Sequence, residues 1–598
     1  MDPLEEVQAL QADGLLLSAH DRAMAALGAR PDDLWLRHAA VLTLASAGAT
    51  GRALDLFGRL ALAEETDPEI VSLQARLLKD VAYESAGEAR LAMLDRARAL
   101  YDGLWRRTGD GYHGINAAAL SLLGGDAAAA AALARAVLAA HRDDGSYWSL
   151  ATEAEAQLLA GEPLRALRLL ERAAALPDAD MRKRASTRRQ IRRELGALGF
   201  APEVSAALAE ALPVPLVVHF VGHMPGEGFD AAAQDGLAWR IERALDENRV
   251  DAAFGALAAG ADILFVEAML RRGITPTIRL VGDVEHFARR SVEPAGGDWL
   301  ARFHACLARC RVESLEETPY PGDDLDLVLS SRRSMGLARL HAQHNDGRAL
   351  QMAAWDGVPA GENPSPLQGA GTAADVAAWQ RAGGRVLNLG WPCERRRRAP
   401  GPPSPLPPRR PMAVLFGDLP RFSTLDDVGL ATFYGRPMAA MGRAVEAHAP
   451  AYRNAWGDAV QAAFDGIGEA AGCAFALRDT LTPERLRDYG LPEALVPRLA
   501  LDYGPLLAVE DAVQQAPKFA GRAMTRAARI EPVTPPGRIH TTQAFACEVA
   551  LSPPGSPGAA LVCEYAGRIP TAKGFGVLPL YALRRVGQQA ARLLDARP

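Results

Sequence analysis

The segment PCERRRRAPGPPSPLPPRRP, residues 392–411, constrains this chain more than any other stretch. Its prolines lack backbone donors and fix φ, and Arg395 to Arg398 repel one another, so no regular element can run through it. It predicts an extended, semi-stiff linker with separately cored bodies on either side. The arginines can touch phosphate, but a solubilising linker is the simpler reading. The length of 598 residues agrees, because one core does not grow that large and roughly three or four domains are expected.

Composition enters mainly as exclusions. An apolar share of 49% and a charged share of 23% are globular values. With 66 basic against 72 acidic residues the formal charge is −6, so the global footprint of a nucleic-acid binder is absent. Cys306 and Cys310 lie one helical turn apart, but no second Cys/His pair completes a zinc site, and six cysteines in this length read as small buried thiols. The opening MDPLEEVQALQ is acidic and lacks the apolar stretch of a signal peptide. No run reaches the ~18 apolar residues of a membrane span. A soluble, cytoplasmic protein is expected.

Residues 1–205 read as helices almost throughout, from apolar spacing at i, i+3 and i+4 and few β-branched residues. DRAMAALGARPDD, GRALDLFGRLALAEETDPE and GEPLRALRLLERAAALPDAD share a polar or glycine start, an Arg-Ala-Leu/Met helix and a Pro-Asp exit. The first two recur at about the period of helix pairs in repeat arrays. The region resembles a tetratricopeptide array, and YHGINAAALSLLGG resembles a helical-repeat regulatory region found beside signalling domains. Such arrays present a curved surface, which implies a protein partner on the repeats. The basic run Arg182, Lys183, Arg184, Arg188, Arg189, Arg192 and Arg193 has helical spacing and reads as a solvated helix face.

The character changes near residue 214. VPLVVHFVGHM is a continuous apolar run with β-branched residues, as in a strand buried on both faces. Helix and strand patterns then alternate through residues 206–391, which predicts an α/β doubly wound parallel sheet. Two glycine-rich loops fall at strand-to-helix junctions. One holds Gly255, Gly260 and Asp262, and the other Gly369, Gly371, Thr372 and Asp375. Each would aim free N–H groups of a helix start at an anion, a candidate second nucleotide site. GAGTAAD resembles the loop of the Rossmann-like superfamily that includes the cytokinin-activating phosphoribohydrolases. Here Asp375 stands for that family's glutamate and Leu367-Gln368 for its Pro-Gly, which puts hydrolysis in doubt.

After the linker, residues 412–464 carry two aspartates in similar settings. Asp418 follows the apolar run Ala413, Val414, Leu415, Phe416 and a glycine, at the end of a buried strand. Asp458 follows Trp456-Gly457 in a hairpin turn. Two carboxylates at neighbouring strand ends suit a hard divalent cation and a phosphate substrate, although aspartate is also common in turns. A long helix is expected at about 425–448, a second at 468–480, and strands at PRLALDYGPLLAV, RIHTT, LVCEYAGRIP and GVLPLYAL. The order β-α-β-β-α-β is the α+β ferredoxin-like arrangement.

VLFGDLPRFSTL, WGDAVQAAF, PRLALDYGPL, FAGRAMTRAARIEPVTPPGRIHTTQAFA and GRIPTAKGFGVLPLYAL occur in the order and at about the spacing of class III adenylate/guanylate cyclases. Residues 412–598 therefore resemble a class III nucleotidyl cyclase domain. The resemblance implies that Asp418 and Asp458 hold two Mg²⁺ or Mn²⁺ ions, that Arg529 stabilises the transition state, and that Lys573 binds the triphosphate. It also implies that Phe422 and the purine-pocket positions Asn454 and Lys518 contact substrate. Three positions depart from the family. Thr525 replaces the asparagine that assists Arg529, Asn454 replaces the adenine-reading lysine, and Lys518 replaces its aspartate partner. The family works as a head-to-tail homodimer, one subunit giving the aspartates and the other the arginine. The expectation is a purine nucleotidyl cyclase, ATP ahead of GTP, gated by the upstream domains. The alternatives are a catalytically weak nucleotide-binding module, or a middle α/β domain that is itself the active centre.

Overall fold

The computed structural model describes residues 2–315, 324–359, 370–394, 407–513 and 515–587. Gly369, Leu367, Gln368 and the arginines Arg395 to Arg398 lie outside them. The chain divides into two compact units. One comprises residues up to 215 with 341–348, and the other residues 216–340 with 349–585.

The first unit is built of helices, from Pro3–Ala12 to Pro202–Glu210, with consecutive helices packed as neighbours. The aspartates of the repeated Pro-Asp element explain its recurrence. Asp33 accepts from the backbone N–H of Trp35 and Leu36, Asp67 from Glu69, and Asp180 from Lys183. Each therefore caps the next helix rather than ending the last one. Alanines such as Ala75, Ala97 and Ala117 sit fully buried between helices, where a small side chain lets the backbones approach closely.

The basic run departs from its expected place on a solvated face. Within helix Met181–Leu198, Arg188 donates to the carbonyls of Ala209 and Leu212, and Arg193 lies 3.7 Å over the Tyr83 ring. Arg189 donates to the carbonyls of Ser46 and His344 at 3.1 and 2.7 Å. Helical spacing puts these side chains on shared faces, but in this array those faces turn inward, against neighbouring helix ends whose carbonyls need donors.

The second unit holds two sheets. The first has strands β1 (Leu216–Gly222), β2 (Ala252–Gly255), β3 (Thr277–Val281), β4 (Arg311–Leu315), β5 (Arg348–Ala354) and β6 (Arg385–Asn388) in the order β4-β3-β2-β1-β5-β6. The paired strands β1–β2, β2–β3, β3–β4 and β5–β6 run parallel. Chain order reverses between β1 and β5, which is where an open parallel sheet leaves a crevice beyond its strand ends.

The second sheet contains β7 (Arg409–Asp418), β8 (Tyr452–Trp456), β9 (Ala459–Phe464), β10 (Arg498–Asp511), β11 (Ala516–Ala520), β12 (Ile539–Thr542), β13 (Leu561–Pro570) and β14 (Val577–Arg585). Their order is β13-β14-β12-β10-β7-β9-β8, with β11 folded back on β10. Helices Ile467–Thr480 and Gln543–Ala550 pack on one face through Phe475, Phe545 and Leu501. Helix Arg522–Ile530 packs on the other through Ala523, Met524 and Ala527. The single helix expected at 425–448 is two, Asp427–Tyr434 and Arg436–Glu446. Gly435 leaves helical geometry with ψ −116°, and Pro437 supplies no donor to bridge the break.

The two sheet domains are not separate bodies on a string, and β7 begins at Arg409, inside the segment expected to be linker, because Arg409, Arg410 and Pro411 pair with β10. Helix Asp324–His344 precedes the proline segment, yet its Leu329 is buried in the core of the second sheet. Arg332 of the same helix pairs with Glu548 at 2.5 and 2.9 Å, and Asp326 with Arg409 at 2.8 Å. Neither this helix nor β4 was legible as an element, and together they supply the seam that composition could not show.

Candidate active site

β7 ends at Asp418, and Gly417 before it is fixed by packing: a methyl group there would overlap the Leu499 side chain on β10. β8 and β9 are joined by a two-residue loop, Gly457-Asp458, closed by the Trp456–Ala459 pair. Gly457 takes φ +62°, which the first position of such a loop requires of glycine. The loop swings Asp458 beside β7, where it accepts from the Leu419 N–H at 3.3 Å. Burial and then the charge of Asp418 push the Asp458 carboxyl above the usual carboxylate range. Two carboxylates forced together in this way favour a bound cation or a shared proton.

Arg498 and Glu531 complete the cluster, and neither was singled out from the sequence. Arg498 opens β10 directly opposite Asp418 and donates to it at 2.8 Å. Its Nε also lies 2.8 Å from Glu531, but the approach is misaligned. Arg498 Nε and Glu531 Oε1 are buried without a hydrogen-bond partner among the described residues. Burial, followed by the charge of Asp418, raises the Glu531 carboxyl to about 7. As an ion pair, Glu531 shares the Arg498 guanidinium with Asp418, and the cluster sets two crowded aspartates and a third acid around one cation of the chain itself. The missed signal was register: an arginine at the start of a strand whose neighbour ends in aspartate.

The other expected residues form a second group. Thr525 and Arg529 share a face of helix Arg522–Ile530, one turn apart, and Thr525 Oγ1 reaches only its own Gly521 carbonyl at 3.5 Å. Arg529 is half-buried and makes no hydrogen bond or ion pair among the described residues. Its neighbour Arg526 is different: it is buried and bonded to Asp502 at 2.6 Å, with Thr542 on the other carboxylate oxygen at 2.5 Å. The turn Ala572–Gly574 lies against this helix and exposes Lys573, held at φ +57°. Strand alternation puts Asn454 on the face of Tyr452, whose ring meets Phe519 edge-on at 6.2 Å beside the same helix. Lys518 is paired with Asp511 across the β10–β11 hairpin at 3.2 Å. Phe422 packs edge-on against Phe433 at 4.8 Å, at the margin of the core.

In the parallel sheet, Gly260 and Gly371 precede helices Ala261–Arg271 and Thr372–Arg381. Gly260 has φ +95°, and a methyl group there would strike the His223 carbonyl after β1. Gly255 is set by packing, since a Cβ would enter the Phe220 ring. Asp262 is buried and accepts from the Ala258 N–H at 3.2 Å, and Thr372 is buried as well. Burial raises both the Asp262 and Asp375 carboxyls to about 7, and the charge of Asp375 adds to the effect on Asp262. The structure thus brings these two acids together at the crevice between β1 and β5. Neutral carboxyls at a helix start suit an anion less badly than charged ones would.

Among the described residues no group of three or more His, Cys, Asp or Glu side chains is arranged to hold a metal, and no helix is long and apolar enough to cross a membrane.

Comparison with known proteins gives two kinds of likeness. The family model for tetratricopeptide repeats-sensor, TPR-S, matches residues 15–121. No curated protein matches the chain. Among solved structures, the adenylyl cyclase CyaB from P. aeruginosa is 16% identical with a TM-score of 0.27, over 30% of this chain and 97% of that one. The guanylate cyclase domain of RhGC from Catenaria anguillulae in complex with GTP is 16% identical, with a TM-score of 0.24, over 29% and 97%. An adenylate cyclase from Trypanosoma brucei is 18% identical, with a TM-score of 0.24, over 30% and 91%.

Proposed function

We propose that the C-terminal domain is a class III purine nucleotidyl cyclase. It converts a nucleoside triphosphate, ATP ahead of GTP, into the 3′,5′-cyclic monophosphate and pyrophosphate. The observation that carries this reading is the crowding of Asp418 and Asp458 at the ends of neighbouring strands, with Glu531 beside them. In the reaction the ribose 3′-oxygen bonds to the α-phosphorus, the bond to the β-phosphate oxygen breaks, and the 3′-hydroxyl proton is released.

Asp418 and Asp458 would hold Mg²⁺ or Mn²⁺, whose chemistry there would be to lower the pKa of the 3′-hydroxyl and neutralise the triphosphate. With Asp418 on a cation, Arg498 would keep Glu531 and could turn the nitrogen now on Asp418 toward a phosphate oxygen. Arg529 and Lys573, without partners among the described residues, meet the charge on the α-phosphate and on departing pyrophosphate. They come from the other subunit of a head-to-tail dimer with two equivalent sites. The α/β domain and the helical repeats regulate this centre.

The experiment is purified full-length protein with ATP or GTP and Mn²⁺, at concentrations that dimerise, assayed for cyclic nucleotide. Product that disappears in Asp458→Ala supports the proposal; none from either substrate sinks it. A second reading, a nucleotide-binding module without turnover, draws on the Lys518–Asp511 pair and the short reach of Thr525. It requires calorimetric nucleotide binding with no product.

A further inference from the structure

The helical unit carries an open cavity of about 700 Å³, within the ~300–1,000 Å³ usual for small-molecule sites. It is lined by Arg76, Arg182 and Arg189 together with the aromatic rings of Trp105, Tyr112 and Trp148. Arg182 makes no hydrogen bond or ion pair among the described residues, and its Nε is buried without a partner. Arg76 bonds only Ser46 Oγ at 3.3 Å, with Asp80 at 3.7 Å. Burial lowers the proton affinity of Arg182 and Arg189; the charges of Asp180 and Asp346 oppose this in turn, and the charge of Arg76 adds to the lowering in both. Gathering three guanidinium groups around one space costs stability unless an anion enters it.

Three acids also line the cavity, none of them hydrogen-bonded to these arginines among the described residues. Asp110 accepts from the Tyr112 N–H and Asp144 from the Ser146 N–H, each closing a backbone turn. Burial raises the Glu69 carboxyl, with Asp110 and Asp67 adding to the effect. Arg182 thus lacks a hydrogen-bond or ion-pair partner among the described residues, Arg76 is weakly held, and Arg189 is anchored on the Ser46 and His344 carbonyls with Asp346 at 3.9 Å.

We infer that the helical-repeat unit binds a nucleoside phosphate in this cavity, with the phosphate on Arg76, Arg182 and Arg189 and the base among Trp105, Tyr112 and Trp148. Guanidinium forks match phosphate oxygens in pairs, and flat aromatic faces accept any base by stacking. The site lies in the helical unit and does not depend on the cyclase reading. It places a small anion where the repeats alone suggested a protein partner.

The test is calorimetry on the full-length protein in EDTA, which silences metal-dependent binding, with AMP, ADP, ATP, adenosine and inorganic phosphate as probes. At least one nucleoside phosphate should bind at one site per chain. Adenosine and inorganic phosphate should each bind at least about tenfold more weakly, and Arg182→Gln should weaken the nucleotide by a similar factor, the loss of a charge-assisted contact. Arg182→Lys, which keeps the charge and loses the fork, serves if the glutamine variant fails to fold. Asp418→Asn/Asp458→Asn should bind as the parent does. The inference is overturned if no nucleoside phosphate binds, if inorganic phosphate binds as tightly, if the folded Arg182 variant is unchanged, or if the aspartate variant loses binding.

Discussion

Arg498 donates to the Asp418 carboxylate at 2.8 Å, so one half of the candidate metal pair already carries an internal counter-cation. A metal ion arriving at Asp418 must displace it. In Arg498→Gln that competition is gone, and the affinity for Mn²⁺ should rise about fivefold, equivalent to the ~1 kcal/mol of a partly exposed ion pair. Calorimetric Mn²⁺ titration checks this, and cyclic-nucleotide output should fall despite the tighter metal, because a phosphate donor is lost.

Arg526 and Arg529 occupy the same helix and should behave oppositely. Arg526 and Asp502 are 6% and 0% exposed, so Arg526→Ala strands a buried carboxylate and should cost about 3–5 kcal/mol by urea denaturation. Arg529→Ala breaks no hydrogen bond or ion pair among the described residues. It should leave stability within about 0.5 kcal/mol, while lowering cyclase turnover ~10²-fold or more.

The Asp262 carboxyl sets a pH dependence of the other sheet domain. Its folded-state value, raised to about 7, lies above the unfolded one, so the folded protein holds the proton more tightly. The stabilisation is full at low pH and is lost as pH rises from about 4 through 7. Between pH 5.5 and 8.5 the parent should lose about 2 kcal/mol that Asp262→Asn retains, read from denaturation at the two pH values.

Trp456 is 85% exposed and adjoins the Asp458 loop. If the proposed dimer forms, this large open aromatic beside Asp458 is expected to be covered by the second subunit. Trp456→Ser should weaken self-association about tenfold or more in sedimentation equilibrium, with the fold unchanged by circular dichroism.

The pair Asp418 and Asp458 was legible because a buried apolar run and a Gly-Asp turn are local signals, each contained in a few residues. Arg498 and Glu531 were not, since what matters about them is register across β7 and β10 and the close of a helix far along the chain. The basic run around Arg182 failed differently. Its period reports which residues share a face, but no period reports whether that face meets water or the inside of a curved array. Gly255 and Gly260 likewise share a composition and differ in cause: one yields to the Phe220 ring, the other to a backbone turn. The helix break at Gly435 was readable in principle from the Gly-Arg-Pro that interrupts it.

Leu329 lies in the core of the second sheet although it precedes the proline segment, and Arg332 and Asp326 fasten the same helix there. The stretch that looks like the natural place to cut is therefore a poor one. A fragment starting at Met412 would carry an uncovered apolar notch where Leu329 belongs, and its silence in an assay would say nothing about the intact chain. The same holds for exchange between proteins: the cyclase-like domain cannot be grafted as a cassette at that point. It must travel with the helix that completes it, and substitutions on either side of the seam should be accepted in pairs.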